Sequence, residues 1–183
     1  MDLLLASASP RRRQLLADAG LAFSVVPADI DETLLPEEAP SDAVVRLARA
    51  KAAAVAARYP LARVLAADTA VVLDGAFLGK PETEAEAVAM LTRLSGRTHV
   101  VMTGYALCAP TGSVSGCCRT RVHFRVLTAE EIGAYVASGE PMDKAGAYGI
   151  QAGAAHMVAS IEGSYTNVVG LPMAEIITVL GRI

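Results

Sequence analysis

Leu3-Leu4-Leu5-Ala6-Ser7-Ala8-Ser9-Pro10-Arg11-Arg12-Arg13 reads as a buried strand that turns directly into a helix. The apolar run Leu3 to Ala6 has the length of a short buried strand. Ser9 is an N-cap, and Pro10 takes the first helical position, where its missing N–H costs nothing. A helix is expected from Pro10 to about Ala19, with Gly20 closing it in the left-handed conformation and Phe23 to Val26 forming the next strand. The same junction suits an anion. Free amides at a helix start attract negative charge, serine hydroxyls add donors, and guanidinium groups bind phosphate oxygens in pairs.

The rest of the chain continues the mixture of strands and helices. Pro27 to Pro40 is acidic and proline-punctuated without apolar periodicity, which is a long loop of the kind that carries function in compact domains. Ser41 is expected to cap a helix to about Arg58, with Val44, Leu47, Ala48, Lys51, Ala54 and Val55 on one face. Val64 to Ala67 reads as a buried strand ending at Asp68, and Asp74-Gly75 joins Val71–Leu73 to Ala76–Leu78 in a hairpin. Thr83 with Glu86 and Thr128 with Glu131 are capping boxes, starting helices that end near Gly96 and Gly139. Arg97 to Leu107 and Val114 to Leu127 are long strands, the second placing Val122, Phe124 and Val126 on one face and Arg121, His123 and Arg125 on the other. A glycine-bearing loop from Pro141 to Gln151, a strand from His156 to Ile161 and a helix after Pro172 complete the chain. With no internal repeat or linker, one domain over residues 1–183 is expected, an α/β fold with a mixed sheet.

Composition removes several classes of function. No stretch approaches the roughly 20 apolar residues of a bilayer helix, and Met1 to Ser7 lacks a basic leader, so neither a membrane nor a secreted protein is expected. Three cysteines, two of them the neighbours Cys117 and Cys118, make no disulfide framework or zinc spacing and read as reduced thiols in a cytoplasm. Sixteen Lys and Arg against nineteen Asp and Glu give a net charge of −3, and three Phe, five Tyr and no Trp offer no stacking platform; a nucleic-acid polymer is not the expected partner. Phosphate recognition, if present, is local.

Common motifs are absent. Gly79-Lys80-Pro81 is not a P-loop, because the final Ser/Thr is missing and Asp74 stands where the first glycine belongs. The histidines, His99, His123 and His156, form no metal-type pair, and each reads as a solvent-facing or partnered strand residue. What remains is a strand-end carboxylate, Asp68, followed by Thr69; hard oxygen donors Asp31 and Glu32 in the acidic loop; and Lys51, Lys80 and Lys144 in places where a surface lysine is not required. Singly, these read equally well as a turn cap, a solvated loop and snorkelling lysines. Together they are what metal-assisted cleavage of a polyphosphate needs.

In order along the chain, Ser7 to Arg13, Asp31-Glu32, Ala66-Ala67-Asp68-Thr69, Gly79-Lys80-Pro81, Ser95-Gly96-Arg97-Thr98-His99, Asp143-Lys144-Ala145-Gly146-Ala147-Tyr148-Gly149-Ile150-Gln151 and Gly163 to Pro172 resemble the Maf nucleotide pyrophosphatases. The resemblance implies a fold similar to the inosine triphosphate pyrophosphatases, a mixed twisted sheet with flanking helices and two lobes around a central cleft, in a homodimer. It implies a nucleoside triphosphate diphosphatase that cleaves between the α and β phosphates with a divalent cation, Mg2+ or Mn2+. The Ser-Pro-Arg-Arg start and the block ending at Gln151 look like the dTTP/UTP branch, with modified pyrimidine analogues as further expected substrates. On that likeness Asp68 is the proton acceptor; the negative charge that grows on the leaving group adds the expectation that Asp68 and Glu32 hold the metal. Ser7, Ser9, Arg11, Arg12, Lys51, Lys80 and Lys144 are expected at the substrate, and Arg12, Thr69 and Gln151 match positions tied to base selection. Two other readings stay open: a nucleotide-binding regulator of cell division acting without turnover, and the 7-methyl-GTP branch of the family.

Overall fold

The computed structural model describes residues 2–182. Its elements are β1 (Leu3–Leu5), α1 (Pro10–Asp18), β2 (Ser24–Val25), α2 (Pro40–Ala56), β3 (Arg63–Leu73), β4 (Ala76–Leu78), α3 (Glu84–Leu94), β5 (Thr98–Ala109), β6 (Gly112–Phe124), α4 (Ala129–Ala137), β7 (Val158–Glu162), α5 (Tyr165–Val169) and α6 (Met173–Leu180). The seven strands form one sheet in the order β2-β1-β3-β5-β6-β7, with β4 paired to β3. It is mixed: β1 runs parallel to β2 and β3, while β4 and β7 are antiparallel to their neighbours. The fold class is therefore the expected one.

By contacts the chain divides into two compact units, Met1–Thr69 with Thr103–Cys118 and Gly170–Ile183, and Ala70–Met102 with Arg119–Val169. In the first unit the pleat sorts the core into two faces. Leu3, Leu5, Leu65 and Ala67 pack with Leu16 of α1 and Ile176 and Val179 of α6. Leu4, Ala6, Val64 and Ala66 pack instead with Ala48, Ala52 and Val55 of α2. Successive strand residues point to opposite faces, so the near-continuous apolar runs of β1 and β3 are those of strands covered on both sides.

Local details follow the chain's chemistry, with some departures. Ser9 Oγ accepts from Arg12 N at 3.4 Å, capping α1 as expected, and Gly20 and Leu21 donate back to Ala17 and Leu16 at 2.9 and 3.2 Å. Helix α2 is not capped by Ser41; Ala39 is its N-cap without a side-chain bond, because Pro40 already supplies the helical φ and puts Ser41 inside the first turn. The α4 capping box is complete, but the α3 box is half made: Thr83 accepts from Glu86 N at 3.2 Å while the Glu86 carboxylate takes Glu82 N at 2.7 Å.

The second unit has its own core, built from Leu91 and Leu94 of α3, Ile132 and Val136 of α4, Val101, Val122, Phe124 and Met157. Strand β6 stops at Phe124, so Val126 does not join Val122 and Phe124 on the buried face; it is 76% exposed. A register shift against β7 at His123/Phe124 ends the alternation there. Three short elements lay beyond the expectations. The loop after Pro141 contains short 3-10 turns at Glu140–Asp143 and Ala145–Ala147, and α5 is capped by Ser164, whose Oγ accepts from Asn167 N at 3.2 Å. Asn167, fully buried, donates to Val101 O and Thr120 Oγ1 at 3.0 and 2.9 Å.

His99 is buried against Phe124 and Tyr148 in edge-on contacts, with Nε2 2.7 Å from the Tyr148 hydroxyl. Burial lowers its pKa to about 4. The unfolded chain therefore takes up a proton near the ordinary 6.5 that the folded chain refuses, so stability is full above about pH 6.5 and falls as pH drops towards 4. Replacing His99 with Phe is expected to flatten this stretch of an unfolding-free-energy-against-pH curve by up to about 3 kcal/mol; an unchanged slope between those limits would show that another group produces it.

Candidate active site

Strand β3 carries two partly exposed residues, Asp68 and Thr69, between buried runs on either side. It does not end at Asp68 as expected but continues to Leu73, where Asp74 and Gly75, both at positive φ, make the tight turn into β4. What ends is its neighbour: the last β1 pair is Leu5 with Leu65, so β3 runs on past β1 and leaves Asp68 beside the turn that follows Ala6. The carboxylate is at a strand end, but the end is that of β1.

The pleat then assigns the partners. Asp68 has the parity of Val64 and Ala66 and faces α2, where Lys51 Nζ lies 2.7 Å from Asp68 Oδ1. Thr69 has the parity of Leu65 and Ala67 and faces α1, where Arg12 Nη2 donates to Thr69 Oγ1 at 3.0 Å. Lys51 is 8% exposed, and its ammonium also meets Glu32 Oε2 at 3.0 Å. One cation thus bridges the acidic loop and the strand carboxylate.

Arg12 is held on every nitrogen. Its Nε donates to Gly170 O at 2.8 Å and Nη1 to Ser7 Oγ at 3.1 Å. Ser7 Oγ also accepts from Ser9 N at 3.2 Å, which leaves its own proton for an incoming acceptor. Burial lowers the guanidinium pKa, and the negative charges of Asp68 and Glu32 oppose that shift. Thr69 Oγ1 lies 2.9 Å from Thr103 Oγ1. Arg11, at the start of α1, is partly exposed. Ser7, Ser9, Arg11, Arg12, Glu32, Lys51, Asp68 and Thr69 are therefore gathered by the first unit into one region that pairs fixed cations and hydroxyls with two carboxylates.

Lys80, Lys144 and Gln151 belong to the second unit. There Gly146 N donates to Gly79 O at 2.9 Å and places the Lys80 turn beside the Lys144 turn. Lys80 and Gln151 are exposed, whereas Lys144 Nζ is engaged within its own turn by Glu140 O and by Asp143 Oδ1 at 2.6 Å. Thr103 and Gly170, which order Thr69 and Arg12, were missed by sequence reasoning. A lone threonine in a strand and a backbone carbonyl leave no pattern to find.

Among the described residues no group of three His, Cys, Asp or Glu side chains is arranged to hold a metal ion. Two carboxylates either side of one cation suit magnesium or manganese all the same, because magnesium is commonly bound by one or two carboxylates and completes its shell with substrate phosphates and water. Among the described residues no helix is long and apolar enough to cross a membrane.

A family model for Maf-like proteins matches residues 2–183. The chain belongs to the Maf family. Curated Maf relatives named dTTP/UTP pyrophosphatase include one from Geotalea uraniireducens (strain Rf4), 53% identical over 99% of this chain and 94% of that protein. Another, from Myxococcus xanthus (strain DK1622), is 56% identical over 98% and 91%. A third, from Geobacillus sp. (strain WCH70), is 51% identical over 100% and 98%. Among solved structures, the Staphylococcus aureus Ham1 protein resembles this Maf chain with a TM-score of 0.48 and 14% identity over 68% of this chain and 72% of that one.

Proposed function

We propose that this chain hydrolyses dTTP and UTP to the nucleoside monophosphate and pyrophosphate. The observation that carries the reading is Lys51 bridging Asp68 and Glu32 beside the Ser7–Arg12 turn. The names borne by relatives more than half identical over nearly the whole chain support the same substrates.

In this reading Ser7, Ser9, Arg11 and Arg12 seat the polyphosphate at the start of α1, with Lys51, Lys80 and Lys144 contributing further positive charge where the leaving group becomes more negative. Asp68 accepts a proton from the attacking water; the new P–O bond forms at the α-phosphorus as the bond from that phosphorus to the α,β-bridging oxygen breaks, and the oxygen leaves with its electron pair as part of pyrophosphate. Lys51 orients the Asp68 carboxylate. A magnesium or manganese ion held by Asp68 and Glu32 would supply Lewis-acid polarisation and neutralise phosphate charge. Thr69 and Arg12 border the base, and the Gln151 amide pairs with the donor and acceptor of a thymine or uracil edge, so that a base with the wrong edge leaves polar groups unpaired. The proposal includes a homodimer in the cytoplasm. Turnover is favoured over mere occupancy because a carboxylate beside a polyphosphate repels it unless a cation lies between them.

The test is a panel of nucleoside triphosphates with Mg2+ or Mn2+, scored for pyrophosphate against orthophosphate. Pyrophosphate from dTTP and UTP, with no orthophosphate, is the expected result. Preference for 7-methyl-GTP would move the chain to the other branch, and release of orthophosphate would overturn the reaction.

A further inference from the structure

The segment that carries Glu32 is organised by an arginine outside the set read from the sequence. Arg46, on α2 like Lys51, donates from Nε to Glu38 Oε1 at 2.7 Å and from Nη2 to Glu38 Oε2 at 2.8 Å, a two-pronged pair. The same Nη2 donates to the Thr33 carbonyl at 3.2 Å. Glu38 in turn accepts from Leu35 N at 3.4 Å. Asp31 Oδ1 takes both Thr33 N and Thr33 Oγ1, at 2.9 and 2.6 Å. Between them the chain reverses at Pro36–Glu37, where Glu38 N donates to Leu35 O at 3.3 Å and Glu37 sits at φ 59. The stretch from Asp31 to Glu38 is folded on itself and fastened to α2, and Glu32 lies within it.

The Glu32–Lys51 contact cannot do this fastening. The Glu32 side chain is 57% exposed, and an ion pair in water contributes little against the backbone entropy of the residues it would have to order. The Arg46–Glu38 pair is better placed. The Glu38 side chain is 12% exposed, the fork geometry is bidentate, and one of its donors also reaches backbone.

We infer that Arg46 is a positioning residue, which through Glu38 and the Thr33 carbonyl sets the pose in which Glu32 meets Lys51 and the metal-bound polyphosphate. This rests on the pyrophosphatase reading for its chemistry, though the fastening itself does not. The residue acts through Glu32 and touches no reacting atom.

The experiment compares wild type, Arg46→Ala, Arg46→Lys and the exchanged pair Arg46→Glu/Glu38→Arg. Two quantities are read: backbone hydrogen exchange across residues 31–38, and the magnesium concentration giving half-maximal pyrophosphate release from dTTP. In Arg46→Ala the Thr33 and Leu35 amides are expected to exchange about tenfold faster and the magnesium requirement to rise about tenfold, with kcat at saturating metal within about twofold. Arg46→Lys, which keeps the charge without the fork, lies between; so does the exchanged pair, which keeps the ion pair but offers no donor to the Thr33 carbonyl and no acceptor to the Leu35 amide. Arg49→Ala, on the exposed side of the same helix, matches wild type. Unchanged exchange in Arg46→Ala overturns the inference, and so does faster exchange with an unaltered magnesium requirement. If wild type releases no pyrophosphate, it is the pyrophosphatase reading that fails; the exchange data still decide whether Arg46 holds the loop.

Discussion

Asp68→Asn reduces pyrophosphate release from dTTP by about 10²- to 10⁴-fold, the usual contribution of a positioned general base, while nucleotide binding stays as tight or becomes tighter. Asparagine has the shape of aspartate, so the apolar residues around β3 need not move. What it lacks is the ability to take a proton and the negative charge that faces the polyphosphate. Lys51 keeps Glu32 as its partner in this variant, which separates loss of the base from loss of the ion pair. Single-turnover rates together with an equilibrium titration of a non-hydrolysable dTTP analogue make the distinction. Turnover within a few-fold of wild type would remove Asp68 from the chemistry, and equal loss of binding would assign it to holding the metal-bound polyphosphate instead of to proton transfer.

Gly104→Ala produces the largest expected loss of stability. A Cβ at Gly104 would stand 2.2 Å from Val44 O, 2.3 Å from Val44 C and 2.5 Å from Val45 N, all backbone atoms of α2 that cannot swing aside as a side-chain tip can. The helix lies directly on β5 at this point. It must be displaced or bent to admit one methyl group, and the expected cost is about 3 kcal/mol or more, a fall in Tm of roughly 10 °C for a chain of this size. Lys51 travels on the same helix, so activity falls along with stability. Gly133→Ala, where nothing lies within 4 Å of the added carbon, is the control. It sits inside α4 and should stabilise by up to about 1 kcal/mol through helix propensity. Equal Tm values for the two variants would refute the close approach of α2 and β5.

The elements that sequence alone located are those whose signals are local. Ser9-Pro10 and Thr128 with Glu131 announce helix starts because the capping atoms lie within the same turn. Asp74-Gly75 announces a hairpin because positive φ at both positions is required there. Lys51 stood out as a charge on an apolar helical stripe, and its burial beside Asp68 gives the reason for its place. The features that escaped were defined across the fold. The end of β3 is invisible because Asp68 and Thr69 are polar interruptions in a strand whose apolar run resumes at Ala70. Arg46 looks like any surface arginine until its partner Glu38, eight residues earlier and outside the helix, is brought against it. Thr103 and Gly170 contribute through a hydroxyl and a carbonyl that no residue pattern marks.

The neighbours Asp68 and Thr69 reach different helices because consecutive strand positions project to opposite sides. Their assignment is consequently one of counting. Inserting or deleting one residue between Val64 and Ala67 would hand the acid to Arg12 and the hydroxyl to Lys51, leaving every side chain present and each in the wrong company. Length changes in the Pro110–Thr111 turn alter no such tally. The short stretch ahead of Asp68 therefore has a length fixed by the two partners that follow it.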